Sequence, residues 1–139
     1  MNRGFTIAIV GAGNLGHALI ENFDFASNGL RLVAAFDSNP DLIGRDLSNI
    51  PVYDSAIIPE WFKENPTDIV VLTVPKRIAK EMAKTLADCG VRGIWNFTNI
   101  ELELDDPNVR IENIHFSDSL LTLGYFLNER SNEKESSES

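Results

Sequence analysis

Gly11, Gly13 and Gly16 stand in G-x-G-x-x-G spacing within IVGAGNLGHALI, directly behind an apolar run and directly ahead of an amphipathic one. Each glycine would answer a separate demand if this loop held a diphosphate. Gly11 opens a tight turn, Gly13 leaves the backbone bare for close approach of a pyrophosphate, and Gly16 lets the following helix lie close on the strand. Ala12, Asn14 and Leu15 complete the loop, and the first amides of the helix face outward toward phosphate oxygens. The run RLVAAFD then ends in Asp37, 21 positions past Gly16. That is close to the ~20 at which an acid accepts hydrogen bonds from a ribose. No arginine follows to receive a 2′-phosphate, since the chain continues Ser38-Asn39-Pro40. The chemistry is that of holding NAD(H) in preference to NADP(H).

The elements that must position these residues are legible as short apolar runs: Thr6 to Val10, Arg31 to Phe36, Ile69 to Val74 and Gly93 to Phe97. Their hydrophobicity is continuous rather than alternating, which predicts strands covered on both faces and hence a parallel sheet. Between the last two runs, Ile78, Met82 and Leu86 recur at i+4 steps. With Pro75 set for the first turn and Gly90 for the exit, this predicts a crossover helix. Pro51 to Tyr53 reads as a short strand, Pro59 to Glu64 as a short helix and Val109 to Ile114 as a late strand. The alternation gives an α/β fold with a doubly wound, mostly parallel sheet. Such sheets bind ligands at the carboxyl ends of their strands, where Thr73-Val74-Pro75 and Asn96-Phe97-Thr98 fall. The Asn96 amide has both a donor and an acceptor with which to meet a carboxamide.

With 139 residues, the chain has room for one core and none for a separate substrate domain. No apolar run approaches the roughly 18 residues of a membrane span, and Thr6 to Val10 is too short for a signal peptide. The lone Cys89 has no partner for a disulfide, which suits a cytoplasmic location, and its place at a helix end suits packing rather than nucleophilic chemistry. His17 sits in the first turn of the helix after the loop and reads as an exposed or packing residue. His115, beside Phe116 at a strand end, is a candidate for contact with cofactor or partner. No acid or base is placed for turnover, so a binding protein is expected and not an enzyme. The net charge of -9 opposes nucleic-acid binding by this chain, and no metal set is evident.

Toward the end, Phe116, Leu120, Leu123 and Leu127 recur at helical spacing, with Leu121, Tyr125 and Phe126 beside and behind the stripe. A helix apolar on more than one side needs two covers, so residues 117–129 are expected to form a homodimer helix. The organisation expected is therefore a dinucleotide-binding domain over 1–116, that helix, and an acidic tail over 130–139. The segment SNEKESSES has no apolar residue with which to order itself.

Taken in order, IVGAGNLGHAL, FASNGLRLVAAFD, IPVY, LTVP, GVRGIWNF and, after VRIEN, SLLTLGYFL resemble the C-terminal Rossmann domain of the Rex redox-sensing transcriptional repressors. The resemblance implies that Gly11, Gly13, Gly16 and Asp37 hold the adenosine half of NAD(H). It places Thr73, Val74, Pro75, Asn96, Phe97 and Phe116 along the rest of the dinucleotide. It implies further that NADH closes a homodimer, with a closing helix that can exchange between subunits, and detaches winged-helix domains from operator DNA. The winged helix has no counterpart here, so DNA binding is not carried over. Asn22 and His115 stand where the family often has Tyr and Asp. Two other readings compete. A nucleotide-binding half of an NAD-dependent oxidoreductase would have Glu-Lys-Pro where this chain reads Trp95-Asn96-Phe97, and a CoA-binding Rossmann domain would not require Asp37.

Overall fold

The computed structural model describes residues 4–114 and Leu127. The chain runs β1 (Phe5–Val10), α1 (Asn14–Asn22), β2 (Leu30–Asp37), β3 (Asp46–Leu47), β4 (Ile50–Asp54), α2 (Ile58–Glu64), β5 (Ile69–Leu72), α3 (Lys76–Asp88), β6 (Gly93–Asn96) and β7 (Arg110–Asn113). The seven strands form one sheet in the order β3-β4-β2-β1-β5-β6-β7. Every neighbouring pair is parallel except β3 and β4. The doubly wound expectation is met. The chain builds outward from β1 to β2 and β4, then returns to lay β5 on the other side of β1. The crevice beyond the carboxyl ends of β1 and β5 is thus the topological switch point.

Alternate residues of the central strands feed two cores. Val10, Phe36, Val70 and Leu72 pack with Ile58 and Phe62 of α2 and Ala79, Ala83 and Leu86 of α3. Ile7, Ile9, Ala35 and Val71 pack on the other face with Ile20 of α1 and Phe25. These side chains are almost fully removed from water, which explains why the strands read as unbroken apolar runs.

Three details depart from expectation. The ridge that α3 buries is Ala79, Ala83 and Leu86, with Ile78 and Met82 only partly covered. Small alanines bring the helix close to the sheet and swing the larger pair toward the sheet's ligand end. β5 stops at Leu72 rather than Val74, because the Thr73 hydroxyl turns to the Gly11 carbonyl at 2.5 Å and Pro75 has no N–H to give. Pro75, extended at ψ 146°, lies one position outside α3 rather than in its first turn. The exit is as expected. Gly90 is left-handed at φ 88°, its N–H reaches the Ala87 carbonyl, and that of Val91 reaches Leu86, closing a Schellman motif.

The edge strand β3 was not foreseen. It joins β4 through Ser48 and Asn49, both at positive φ (48° and 69°), the geometry of a two-residue type I′ hairpin. Of the expected closing helix, Leu127 is helical and 56% exposed. Leu120, Leu123 and Phe126 lie outside the described residues, as do His115, Phe116 and the acidic tail. No helix among the described residues is long and apolar enough to cross a membrane.

Candidate functional site

Val10 ends β1 and Gly11 turns the chain at φ 104°, with its N–H on the Phe36 carbonyl at 2.7 Å. A Cβ at Gly11 would lie 2.9 Å from the Thr73 carbonyl oxygen, so both the backbone angle and the space demand glycine. Gly16 is needed for a different contact. A Cβ there would run into the Gly11 carbonyl, and its absence lets α1 settle over the end of β1. Gly13 is unlike either, because its φ of −71° is open to any residue and nothing lies within 4 Å of the Cβ it lacks. The fold itself makes no demand for glycine at this position. What the missing Cβ leaves bare is the exposed rim of the loop, where a bound group could approach the backbone.

No side chain caps Gly13 at the start of α1, and the first intrahelical bond runs from His17 N–H to the Gly13 carbonyl. The amides of Asn14, Leu15 and Gly16 precede that bond and so form the unsatisfied, positive end of the helix. Asp37 closes the site from the β2 side. Its Oδ2 accepts the Ala12 N–H at 2.7 Å and its Oδ1 accepts the Asn39 N–H at 2.8 Å. Each carboxylate oxygen keeps a second lone-pair site, enough for the two hydroxyls of a ribose. Ala12, itself buried, serves through its backbone.

Gly11, Gly13, Asp37, Thr73, Val74 and Pro75 line one cleft of about 430 Å³ at the switch point. Val10, Phe36, Ser38, Ser55, Ile78 and Met82 complete its wall. The sequence does not single out these six as site residues. Ser55 follows the end of β4, and the rule that pointed to Thr73 would also have pointed there. The i+4 recurrence of Ile78 and Met82 marks a core-facing stripe in sequence, but it is the Ala79, Ala83 and Leu86 ridge that packs on the sheet, which leaves Ile78 and Met82 to the cleft. A larger hollow of about 670 Å³ lies at the opposite end of the sheet, by Thr6 and Arg31 at the starts of β1 and β2. It has neither the glycine loop nor the helix N-terminus that mark the smaller cleft.

The expectation for Asn96 needs correcting. The residue is 1% exposed, and every bond the side-chain amide can make is made within the protein. Nδ2 donates to the Ile100 carbonyl and to Asn113 Oδ1, both at 2.7 Å, while Oδ1 accepts the Thr98 N–H and hydroxyl. No donor remains for a carboxamide. Phe97 packs edge-on against Trp95 at 4.8 Å on the α1 side of the sheet and does not line the cleft. Asn22 folds its amide onto the Ala18 carbonyl at the end of α1. His17 is an exposed residue 3.3 Å from Glu21. Lys76, Arg77, Lys80 and Lys84 all lie exposed on α3, a local departure from the net charge of -9.

A glycine loop, a free helix end and an acid with spare lone pairs together fit the pyrophosphate and adenosine ribose of a dinucleotide. Among the described residues no group of acidic, His or Cys side chains could hold a metal ion.

Comparison with known proteins agrees with this geometry. A family model described as the CoA binding domain matches residues 2–100. The redox-sensing transcriptional repressor Rex of Caldicellulosiruptor saccharolyticus is 42% identical over 135 residues, 97% of this chain and 61% of that protein. Its counterpart in Ligilactobacillus salivarius is 45% identical over 123 residues, 88% of this chain and 57% of the relative. Among solved structures, the Rex-family repressor RSP in complex with NADH is similar at TM-score 0.79 and 37% identity, covering 94% of this chain and 63% of that one. RSP with NAD+ and operator DNA gives 0.81 at 37% identity, covering 94% and 60%. This chain therefore spans about three fifths of the length of the relatives it matches.

Proposed function

The chain belongs to the CoA-binding domain family and, within it, to the Rex redox-sensing repressors, and from that premise we propose that it is an NAD(H)-binding sensor domain. It would read the balance of NADH and NAD+ through a dimer rather than turn the cofactor over. The observation that carries the proposal is the Asp37 carboxylate. It is fixed by the Ala12 amide at the rim of the switch-point cleft and keeps acceptor sites for a ribose. The acid also repels a 2′-phosphate. RSP has been solved with NADH and with NAD+, and the curated relatives at 35–45% identity are named as redox-sensing transcriptional repressors.

In this reading the helix-end amides of Asn14 and Leu15 meet the pyrophosphate over the bare backbone at Gly13. Asp37 accepts from the adenosine ribose, Ile78 and Met82 offer an apolar wall to the adenine, and Val74 and Pro75 in the same cleft lie along the rest of the dinucleotide. When bound, the nicotinamide supplies the redox state that is sensed, and the residues of this chain bind and orient it without chemistry. The experiment is calorimetry of the chain with NADH, NAD+, NADPH and CoA. Binding of NADH or NAD+ ahead of the other two supports the reading, whereas CoA binding alone would move the chain to the CoA-binding alternative that its family model's name suggests.

The dimer is proposed to rest on residues 117–129, with Leu120, Leu123, Phe126 and Leu127 as its anchors. One feature of the sheet favours this. On the α1 side, Ile7, Leu30, Ile69 and Trp95 floor an open apolar hollow of about 270 Å³. The β6 to β7 connection gives it no cover, since Ile100, Leu102 and Leu104 pack on the opposite face. A closing helix with a Phe116, Leu120, Leu123 and Leu127 stripe has the complementary need. Operator DNA is a partner of the relative RSP. For this chain, DNA contact would require a winged-helix domain in the same protein or on a partner.

A further inference from the structure

β2 and β4 do not start level. Their ladder pairs Ala35 with Val52, Phe36 with Tyr53 and Asp37 with Asp54, which puts Ile50, the first residue of β4, beside Val33. Arg31 and Leu32 therefore run past the start of β4 with no strand on that side. The space they border is the hollow of about 670 Å³, and its other wall is the last turn of α2 with the turn 65–67 that follows. The Asn65 amide donates to the Trp61 carbonyl at 3.0 Å, and the buried Thr67 hydroxyl donates to the Asn65 carbonyl at 2.9 Å. That wall is bonded in place by the protein itself.

Two aromatic rings and two opposite charges face this space. Tyr53 and Trp61 are half-buried, with ring centroids 6.0 Å apart at 41°. Each also packs on Phe36, at 5.8 Å and 5.1 Å, so the core fixes both from behind. Arg31 and Glu64 line the same hollow, and both are exposed. Neither forms an ion pair with the other or with any other described residue.

We propose that this hollow is a second ligand site, for an α-amino acid with an aromatic side chain. The ring lies against Tyr53 and Trp61, the carboxylate meets the Arg31 guanidinium and the ammonium meets the Glu64 carboxylate. The volume is that of a small-molecule site, within the range of roughly 300–1,000 Å³. Opposite charges left unpaired in one hollow select a zwitterion, because a plain anion is repelled by Glu64 and a plain cation by Arg31. An extended peptide is a poorer fit. It would find only Arg31 and Leu32 to pair with, well short of the roughly 5–6 residues of an ordinary strand. The site is at the other end of the sheet from the cleft of Asp37 and does not depend on the NAD(H) reading.

The test is calorimetry of the whole chain with L-phenylalanine and three analogues. Phenylpropanoate lacks the ammonium, phenethylamine lacks the carboxylate and L-alanine lacks the ring. L-Phenylalanine should bind at least about tenfold more tightly than each of the three, the scale of one charged hydrogen bond. Arg31→Gln should weaken L-phenylalanine about tenfold and leave phenethylamine within about twofold of wild type. Glu64→Gln should weaken L-phenylalanine to a similar degree and leave phenylpropanoate unmoved. Both side chains are exposed, and urea unfolding should show both variants as stable as wild type. Wild type that takes up L-phenylalanine no more tightly than the analogues, or not at all at millimolar concentration, overturns the proposal. So does a variant of Arg31 or Glu64 that binds L-phenylalanine as wild type does.

Discussion

The Asp37 carboxylate and the Ala12 amide lie 2.7 Å apart, with Oδ2 accepting from the N–H, so the acid at the end of β2 is also a brace for the glycine loop at the end of β1. Removing it acts twice. Asp37→Ala should weaken NADH by roughly 1–3 kcal/mol, the scale of a charged hydrogen-bond partner, and should also leave the Ala12 amide unpaired. Calorimetry with NADH and NADPH checks the first effect and urea unfolding the second. Wild-type protein that bound NADPH as tightly as NADH would take the ribose away from Asp37.

The glycines separate fold from function. Gly11→Ala places a side chain at φ 104° against the Thr73 carbonyl, and should cost roughly 2–4 kcal/mol in urea unfolding. Gly13→Ala meets nothing within 4 Å and keeps an ordinary φ, so stability should hold to about 0.5 kcal/mol while NADH affinity drops at least about tenfold. If Gly13→Ala binds NADH like wild type, the bare rim of the loop is not where a pyrophosphate lies.

Cys89 tests the packing reading of the lone thiol. Burial first, and the Asp88 charge second, hold it above its ordinary range. The folded chain should therefore react with iodoacetamide more slowly than the urea-unfolded chain at about pH 8.5, near the ordinary thiol pKa. The sign for stability follows. The unfolded thiol gives up its proton first, so the stability tied to the protonated form is complete below that pH and declines above it. Equal alkylation rates in the two states would show an open thiol.

Much of the fold was legible because the sheet is buried on both faces. Ile7 to Val10 and Val70 to Leu72 are apolar at every position, and their shortness, β-branched content and flanking Gly and Pro favour buried strands over helices. The glycine loop and the acid beside it were legible for a local reason, since Gly11, Gly13 and Gly16 are defined by backbone and Asp37 by its place at a strand end. Asn96 was misread because a strand-end amide looks the same whether it faces a ligand or a buried partner. That partner, Asn113, is 17 residues away and depends on the register of β6 and β7. The β3 hairpin escaped notice because its turn is Ser48-Asn49, without the glycine that marks most type I′ turns.

The closing segment carries the last prediction. Its stripe of Phe116, Leu120, Leu123 and Leu127 is too wide, with Tyr125 and Phe126, for one surface to cover, and Leu127 stands 56% exposed in the single chain. A second copy would cover it, and the apolar hollow around Trp95 is a matching surface. Leu120→Asp with Phe126→Asp would bury two charges without partners, at roughly 3–5 kcal/mol, and should give monomer or aggregate. Trp95 reports the same event. With Trp61→Phe removing the other tryptophan, its emission should shift to the red when the dimer is lost, because the hollow it floors opens to water. Light scattering that finds wild type monomeric at tens of micromolar, or the double variant still dimeric, would take the segment out of the interface. A Trp95 spectrum unchanged on dissociation would leave the dimer standing but remove the hollow from it.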